Sequence, residues 1–80
     1  MASKRIRLTF PENLIKEPLI YNMGREFQVI TNIRMADVDE RTGWVVLELE
    51  GEADEIERSL EWARAKGVRV DPVTGDVVEG

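Results

Sequence analysis

The stretch that decides the fold runs from Pro18 to Val38 and reads PLIYNMGREFQVITNIRMADV. Pro18 suits the first turn of a helix, because its φ is fixed near the helical value and its missing N–H needs no partner there. Apolar residues then recur at intervals of three and four, at Ile20, Met23 and Phe27. This spacing predicts a helix over residues 18–27 with one apolar face.

The apolar interval then changes to two, which predicts a strand over residues 28–37. One face of this strand is expected to carry Val29, Thr31, Ile33 and Met35, and the other Ile30, Asn32, Arg34 and Ala36. A helix that leads directly into a strand must fold back over the sheet that the strand joins.

Apolar and polar residues alternate in two further segments, which predicts two further strands. Residues 4–10 direct Ile6, Leu8 and Phe10 towards a core, and residues 44–50 direct Val45, Leu47 and Leu49 towards it. The polar segment 39–43 ends in glycine, which predicts a hairpin between the second and third strands. Residues 1–3 are expected to form a loose terminus.

A second helix is predicted between Gly51 and Gly67. Carboxylates occupy its first turn and cations its last turn, which matches the helix dipole. Its expected core stripe consists of Ala53, Ile56, Leu60 and Ala63. Residues 68–70 then begin the last strand.

The element order is therefore βαββαβ, an α+β fold of the ferredoxin-like type with a four-stranded antiparallel sheet and two helices on one face. The expected strand order is 4-1-3-2. We expect residues 1–71 to form the domain and residues 72–80 a C-terminal tail that is in part disordered. Alternatively, the valines of the tail extend the last strand or form a small hairpin.

The composition of the chain excludes several kinds of site and activity. The 80 residues include no Cys and no His, which excludes disulfides, iron–sulfur ligation, nearly every zinc site and the usual general base. We therefore expect no enzyme, no metal and no cofactor. A net charge of −5 opposes nucleic-acid binding. Because no apolar run approaches a membrane span, we expect a soluble cytoplasmic protein without membrane insertion.

The uncovered face of the sheet is the first place to look for a site. Alternation places there Arg5, Arg7, Thr9, Asn32, Arg34, Trp44, Val46, Glu48, Glu50 and Arg69. This face is either solvated, with Arg and Glu paired across strands, or an interface whose apolar centre is Trp44 and Val46.

Two runs of residues carry a family resemblance. The run P-L-I-x-x-M-x-x-x-F-x-V-x-x-N-I-R spans residues 18–34, and S-L-E-W-A-R-A-K-G-V-R-V spans residues 59–70. Together with the first strand they resemble the NIL domain over roughly residues 4–71. The Asn-Ile-Leu triplet of that family is here Asn32, Ile33 and Arg34, so its third residue differs.

The resemblance implies a regulatory domain without catalytic activity, similar to the C-terminal domain of methionine-importer ATPase subunits, which binds methionine. It implies a site for a small amino acid such as methionine at Asn32, Ile33, Arg34 and Met35. Asn32 offers both a donor and an acceptor, and Ile33 and Met35 line an apolar slot or belong to the core. Arg34 contacts a ligand carboxylate or an acidic partner surface.

The alternative is a structural module that forms a dimer or docks on a protein partner and binds no metabolite. The two hypotheses are compatible if a ligand lies between subunits, and we expect a homodimer. A regulatory module predicts saturable binding of methionine. A structural module predicts concentration-dependent assembly that responds to substitutions of Trp44.

Overall fold

A computed structural model describes residues 1–73. Its elements are β1 (Ala2–Phe10), a 3-10 turn (Glu12–Leu14), α1 (Leu19–Glu26), β2 (Val29–Val38), β3 (Gly43–Gly51), α2 (Ala53–Lys66) and β4 (Arg69–Pro72). The strands form one antiparallel sheet in the order β2-β3-β1-β4. The predicted ferredoxin-like fold and strand order are therefore confirmed. The alternatives for the valines at 77 and 78 lie outside the described residues.

Helix α1 begins one residue later than predicted. Pro18 lies just before it with φ −79° and ψ 62°, and Phe27 returns to an extended backbone after Glu26. The helix buries Leu19 and Met23, which are one turn apart. Ile20 and Phe27 pack at the border of the core.

Gly24 lies within α1, and a methyl group fits there. A Cβ atom built on Gly24 would lie 3.8 Å from the Thr31 methyl carbon, an ordinary van der Waals contact. A close approach of the helix to the sheet therefore does not explain this glycine. We expect Gly24→Ala to raise the free energy of unfolding by about 1 kcal/mol, because alanine loses less backbone entropy in a helix. Urea unfolding of the variant measures this gain.

The core lies between the sheet and the two helices. The inward residues predicted on β1 and β3 are all buried, which confirms the assigned faces of these strands. On α2, Ile56, Leu60 and Ala63 are buried as predicted, but Ala53 is exposed. Ala53 is the first residue of the helix and lies at the end of the core layer. Ser59 is buried instead, and its hydroxyl donates a hydrogen bond to the Ile56 carbonyl at 2.7 Å.

The N-terminal residues belong to the sheet, so the prediction of a loose terminus is wrong. Ala2 pairs with Gly51 and Ser3 pairs with Glu50. The third strand extends to Gly51, and this gives the first residues of the chain a partner to bond to.

Strand β2 contains a bulge at Arg34. Ile33 pairs with Leu47 and Met35 pairs with Val46, so Arg34 is an extra residue between two consecutive residues of β3. One inserted residue reverses the faces of all that follow. The predicted common face of Ile33 and Met35 is therefore wrong, since Met35 lies on the uncovered face.

The turn between β2 and β3 is held by Asp39. Its carboxylate accepts hydrogen bonds from the main-chain N–H groups of Arg41 and Thr42, both at 2.8 Å. The bond from Thr42, followed by the bond from Arg41, holds the pKa of Asp39 below its usual range. These bonds favour the charged form of the carboxylate.

The stability that Asp39 contributes should depend on pH. Because its folded-state pKa is lowered, the contribution is present above the unfolded pKa of about 3.9 and is lost as the pH falls through the folded value. We expect Asp39→Asn to destabilise the protein at neutral pH. Its difference from the native chain in free energy of unfolding should shrink as the pH falls below about 4. Urea unfolding at several pH values tests this. A difference that does not change with pH would contradict it.

Candidate functional site

An apolar groove lies between α1, the segment before it and the second half of β2. Its volume is about 290 Å³, near the lower end of the range for small-ligand sites. Its lining is mostly aliphatic and aromatic: Phe10, Leu14, Ile15, Glu17, Pro18, Leu19, Ile20, Tyr21, Ile33, Ala36, Val38 and Val45.

The groove exists because α1 is much shorter than the strand that it covers. Eight helical residues rise about 12 Å, whereas ten strand residues extend about 33 Å. The first half of β2 lies under the helix, where Val29 is buried. From the middle of the strand onwards the helix no longer covers it: Ile33 is 56% exposed and Val38 is 52% exposed, although both line the groove on the helix side of the sheet.

The bulge completes this lining. Beyond Arg34, Ala36 pairs with buried Val45 and Val38 pairs with Gly43. In a regular strand of the same sequence, with Arg34 included in the alternation, Met35 and Asp37 would face the groove in place of Ala36 and Val38. The bulge therefore gives the groove a small apolar side chain and a branched one instead of a long thioether and a charge.

Glu17 is the one acidic or basic residue among those that line the groove. None of the ion pairs among the described residues involves Glu17. Tyr21, which is 67% exposed, lines the same groove and carries a hydroxyl. The groove can thus hold an apolar group and offer a carboxylate to a cation at its rim.

The residues predicted from the sequence as a ligand site are divided between two faces. Ile33 lines the groove, and Arg34 is exposed at the bulge. Asn32 pairs with Glu48, and Met35 pairs with Val46, so these two side chains share the uncovered face. The structure brings Asn32 and Met35 together and separates Ile33 from them.

Sequence reasoning missed the other wall of the groove. No site was predicted at Leu14, Ile15, Glu17 or Tyr21, which all line the groove. The available signal was the similar number of residues in the predicted helix and the predicted strand. A helix rises less per residue than a strand, so such a helix leaves part of the strand uncovered.

The uncovered face is rich in cross-strand pairs. Arg5 donates to Glu48 at 3.0 Å, and the guanidinium of Arg7 lies 4.6 Å from the centre of the Trp44 ring. These contacts agree with a solvated face with paired charges. They also cover part of Trp44, which is half-buried, so the interface predicted at Trp44 and Val46 stays a prediction.

Two other features bear on the function of residues 1–73. This part of the chain contains no group of three or more His, Cys, Asp or Glu side chains that could hold a metal ion. None of its helices combines the length and the apolar character needed to cross a membrane.

Comparisons with known proteins agree on one family. A family model described as the NIL domain matches residues 4–72. The methionine import ATP-binding protein MetN of Helicobacter pylori (strain J99) is 32% identical over 69 residues, which cover 81% of this chain and 21% of the relative. This chain therefore spans about a fifth of the length of that relative.

A solved structure has a similar fold. The crystal structure of the C-terminal domain of an ABC transporter ATP-binding protein from Enterococcus faecalis superposes with a TM-score of 0.77 at 25% identity. The alignment covers 91% of this chain and 86% of that chain. The family match extends over most of the sequence, and the chain belongs to the NIL domain family.

Proposed function

We propose that this chain is a regulatory module without catalytic activity, and that it binds a small amino acid such as methionine in the groove between α1 and β2. The observation that supports this most is an apolar groove whose lining includes one acidic residue, Glu17, in a chain similar to an ATP-binding protein of methionine import.

The groove fits the three parts of such a ligand. An apolar side chain occupies the slot formed by Leu14, Ile33 and Val38. The ammonium group approaches Glu17, and a charge-assisted hydrogen bond there would be stronger than a neutral one. The ligand carboxylate lies towards the outer edge of β2, where no strand of the described residues pairs with the main chain.

Asn32, Arg34 and Met35 remain part of this proposal as residues of the same strand. Asn32 and Met35 lie on the uncovered face. They contact a ligand in the groove only if it extends around the edge of β2. Substitution of Asn32 therefore distinguishes a ligand confined to the groove from one that reaches both faces.

A regulatory module needs an effector on which it acts. By similarity to the relative from methionine import, we propose a transport ATPase in the cytoplasm as the partner of this domain. The ligand would then change how the domain contacts the ATPase. Such coupling requires that the ligand binds one of the two arrangements more tightly.

Ligand binding should appear as added thermal stability. At about 100 times its dissociation constant, a ligand adds about 2.7 kcal/mol, which raises the unfolding midpoint of a domain of this size by about 10 °C. We expect millimolar L-methionine to produce such a shift, with alanine and norleucine as controls. An unchanged midpoint with methionine would contradict the proposed ligand.

Two isoleucines of β2 provide a matched pair of variants. Ile33 and Ile30 are both 56% exposed, but only Ile33 lines the groove. We expect Ile33→Asn to weaken the apparent affinity for methionine, read from the thermal shift, by about tenfold or more. We expect Ile30→Asn to leave this affinity nearly unchanged. Loss of the shift in Ile30→Asn or Asn32→Ala alone would place the ligand on the uncovered face.

A second candidate function is protein interaction. One observation favours it: four of the six exposed large apolar side chains of residues 1–73 lie on β2. This concentration is unlike the scattered exposure of an ordinary surface. The homodimer expected from the sequence is proposed on this ground.

A further inference from the structure

An open cleft lies on the uncovered face of the sheet, across β1 and β4. Its volume is about 590 Å³, and it is lined by Arg7, Thr9, Arg69, Asp71, Pro72 and Val73. This lining contains two guanidinium groups and one carboxylate. The cleft is therefore locally positive in a chain whose net charge is −5. A local excess of positive charge attracts anions.

The carboxylate in the cleft does not neutralise both arginines. Arg7 is opposite Asp71 in the register of β1 and β4, yet Asp71 forms its ion pair with Arg69, from Nε to a carboxylate oxygen at 3.0 Å. Arg7 takes part in none of the ion pairs among the described residues. The contact of Arg69 uses Nε, so its two terminal nitrogens can still donate to another acceptor.

The indole of Trp44 holds Arg7 in place. The centre of the guanidinium lies 4.6 Å from the centre of the ring, and Trp44 is half-buried opposite Thr9. This cation–π contact is electrostatic and supplies no hydrogen-bond acceptor, so the donors of Arg7 remain available to a ligand. Because the side chain is already restrained, less conformational entropy is lost when a ligand binds.

The third donor of the cleft is the hydroxyl of Thr9. Thr9 is opposite Arg69 across the two strands and is two residues from Arg7, on the same face of β1. A planar carboxylate is satisfied by the fork of one guanidinium. Two guanidinium groups and a hydroxyl at different positions around one cleft match a tetrahedral anion with several acceptor oxygens better.

We propose that this cleft binds a phosphate group, either as the free ion or as a phosphate monoester of a small molecule, through Arg7, Arg69 and the hydroxyl of Thr9. Trp44 is a positioning residue that acts through Arg7. The cleft lies on the opposite side of the sheet from the apolar groove, so this proposal does not rest on methionine binding. A module with both sites would respond to two ligands of different chemistry.

The competing explanation is an ordinary solvated face, whose arginines attract anions only through their summed charge. Arg5 provides the matched control, because it lies on the same strand and the same face as Arg7 but is paired with Glu48 at 3.0 Å. A summed-charge effect predicts equal weakening of anion binding when either arginine is lost. A built site predicts that the loss of Arg7 matters much more.

A titration of the full, uniformly ¹⁵N-labelled chain with sodium phosphate at constant ionic strength separates these explanations. The readouts are the amide signals of Thr9 and Arg69 and the Nε–H signals of the arginines. We expect saturable shifts with a dissociation constant of about 1 mM, and binding of acetate that is weaker by about tenfold or more. Phenyl phosphate distinguishes the two sources of the group: saturation at a similar concentration indicates a monoester, and its exclusion indicates the free ion.

Substitutions test the role of each side chain. Arg7→Gln and Arg69→Gln should each weaken phosphate binding about tenfold, and Arg5→Gln less than about twofold. Trp44→Leu should weaken it about threefold, whereas Trp44→Phe, which keeps an aromatic ring beside Arg7, should retain it. The amide spectrum of each variant shows that it is folded. Equal losses in the two variants of Trp44 would overturn the positioning role.

Three results would overturn the proposed site. These are shifts that do not saturate, acetate that binds as tightly as phosphate, and equal weakening in Arg5→Gln and Arg7→Gln. The shifts caused by phosphate are read on the uncovered face, and those caused by methionine are read in the groove. Failure of either ligand to bind therefore leaves the test of the other intact.

Discussion

Leu47→Ala is expected to lower the free energy of unfolding by about 3 kcal/mol. Leu47 is fully buried and lies at the centre of the sheet, between Ile6 on β1 and Ile33 on β2. The substitution removes side-chain burial and leaves a cavity that the two neighbouring strands cannot close. Because small domains of this length have total stabilities of about 4 to 12 kcal/mol, a large fraction of the stability would be lost.

Urea unfolding followed by circular dichroism measures this loss. Val46→Ala is the matched control, because Val46 is the next residue on the same strand and lies half-buried on the uncovered face. We expect this control to cost less than about 1 kcal/mol. Equal losses in the two variants would show that the assigned faces of β3 are wrong.

Gly51→Ala is expected to cost about 2 kcal/mol, although it adds only one methyl group. Gly51 is buried where the ends of three strands meet, paired with Ala2 on one side and Val29 on the other. A Cβ atom at this position would lie 2.7 Å from the Gln28 carbonyl oxygen. That oxygen belongs to the main chain, so it cannot rotate away and the strands must separate.

Gly24→Ala is expected to raise the free energy of unfolding, whereas Gly51→Ala is expected to lower it. Both variants exchange hydrogen for methyl, and both are measured by the same urea transition. The methyl group at position 51 would lie 2.7 Å from a main-chain oxygen, whereas the nearest atoms to the methyl group at position 24 lie at 3.8 Å. A neutral or stabilising Gly51→Ala would mean that β2 does not approach the end of β3 as closely as described.

Much of the fold could be predicted because the core-facing positions of β1 and β3 are all apolar, whereas the opposite faces carry Arg5 and Arg7 on β1 and Glu48 and Glu50 on β3. Ile6, Leu8 and Phe10 alternate with Arg5, Arg7 and Thr9, so only one facing buries the apolar residues. The switch from an interval of four to an interval of two near Phe27 then places a helix against the sheet. Element order and the two-layer architecture follow from these patterns.

The second strand could not be assigned in the same way. Its apolar residues Ile30, Ile33, Met35 and Val38 occur in both phases, so the pattern fits either facing. The bulge leaves no mark in such a run, because the extra residue Arg34 has the polar character expected of one face. Met35 was therefore placed on the wrong side of the sheet.

The candidate groove arises from the different lengths of α1 and β2 and from the bulge at Arg34, and no sequence motif marks it. Ile33 was singled out from the triplet resemblance, and the structure places it in the lining. Glu17 and Tyr21 come from a segment that reads as an ordinary connector and the first turn of a helix. Their proximity to Ile33 arises only when the short helix leaves half of β2 uncovered.

The most direct test of the proposed site is a titration of the uniformly ¹⁵N-labelled chain with L-methionine, followed by amide chemical shifts. We expect saturable shifts in three places: the turn at Glu12–Leu14, the first turn of α1 and the second half of β2. Shifts without saturation at millimolar concentrations, or shifts confined to the uncovered face around Thr9 and Arg69, would contradict a methionine site in the groove.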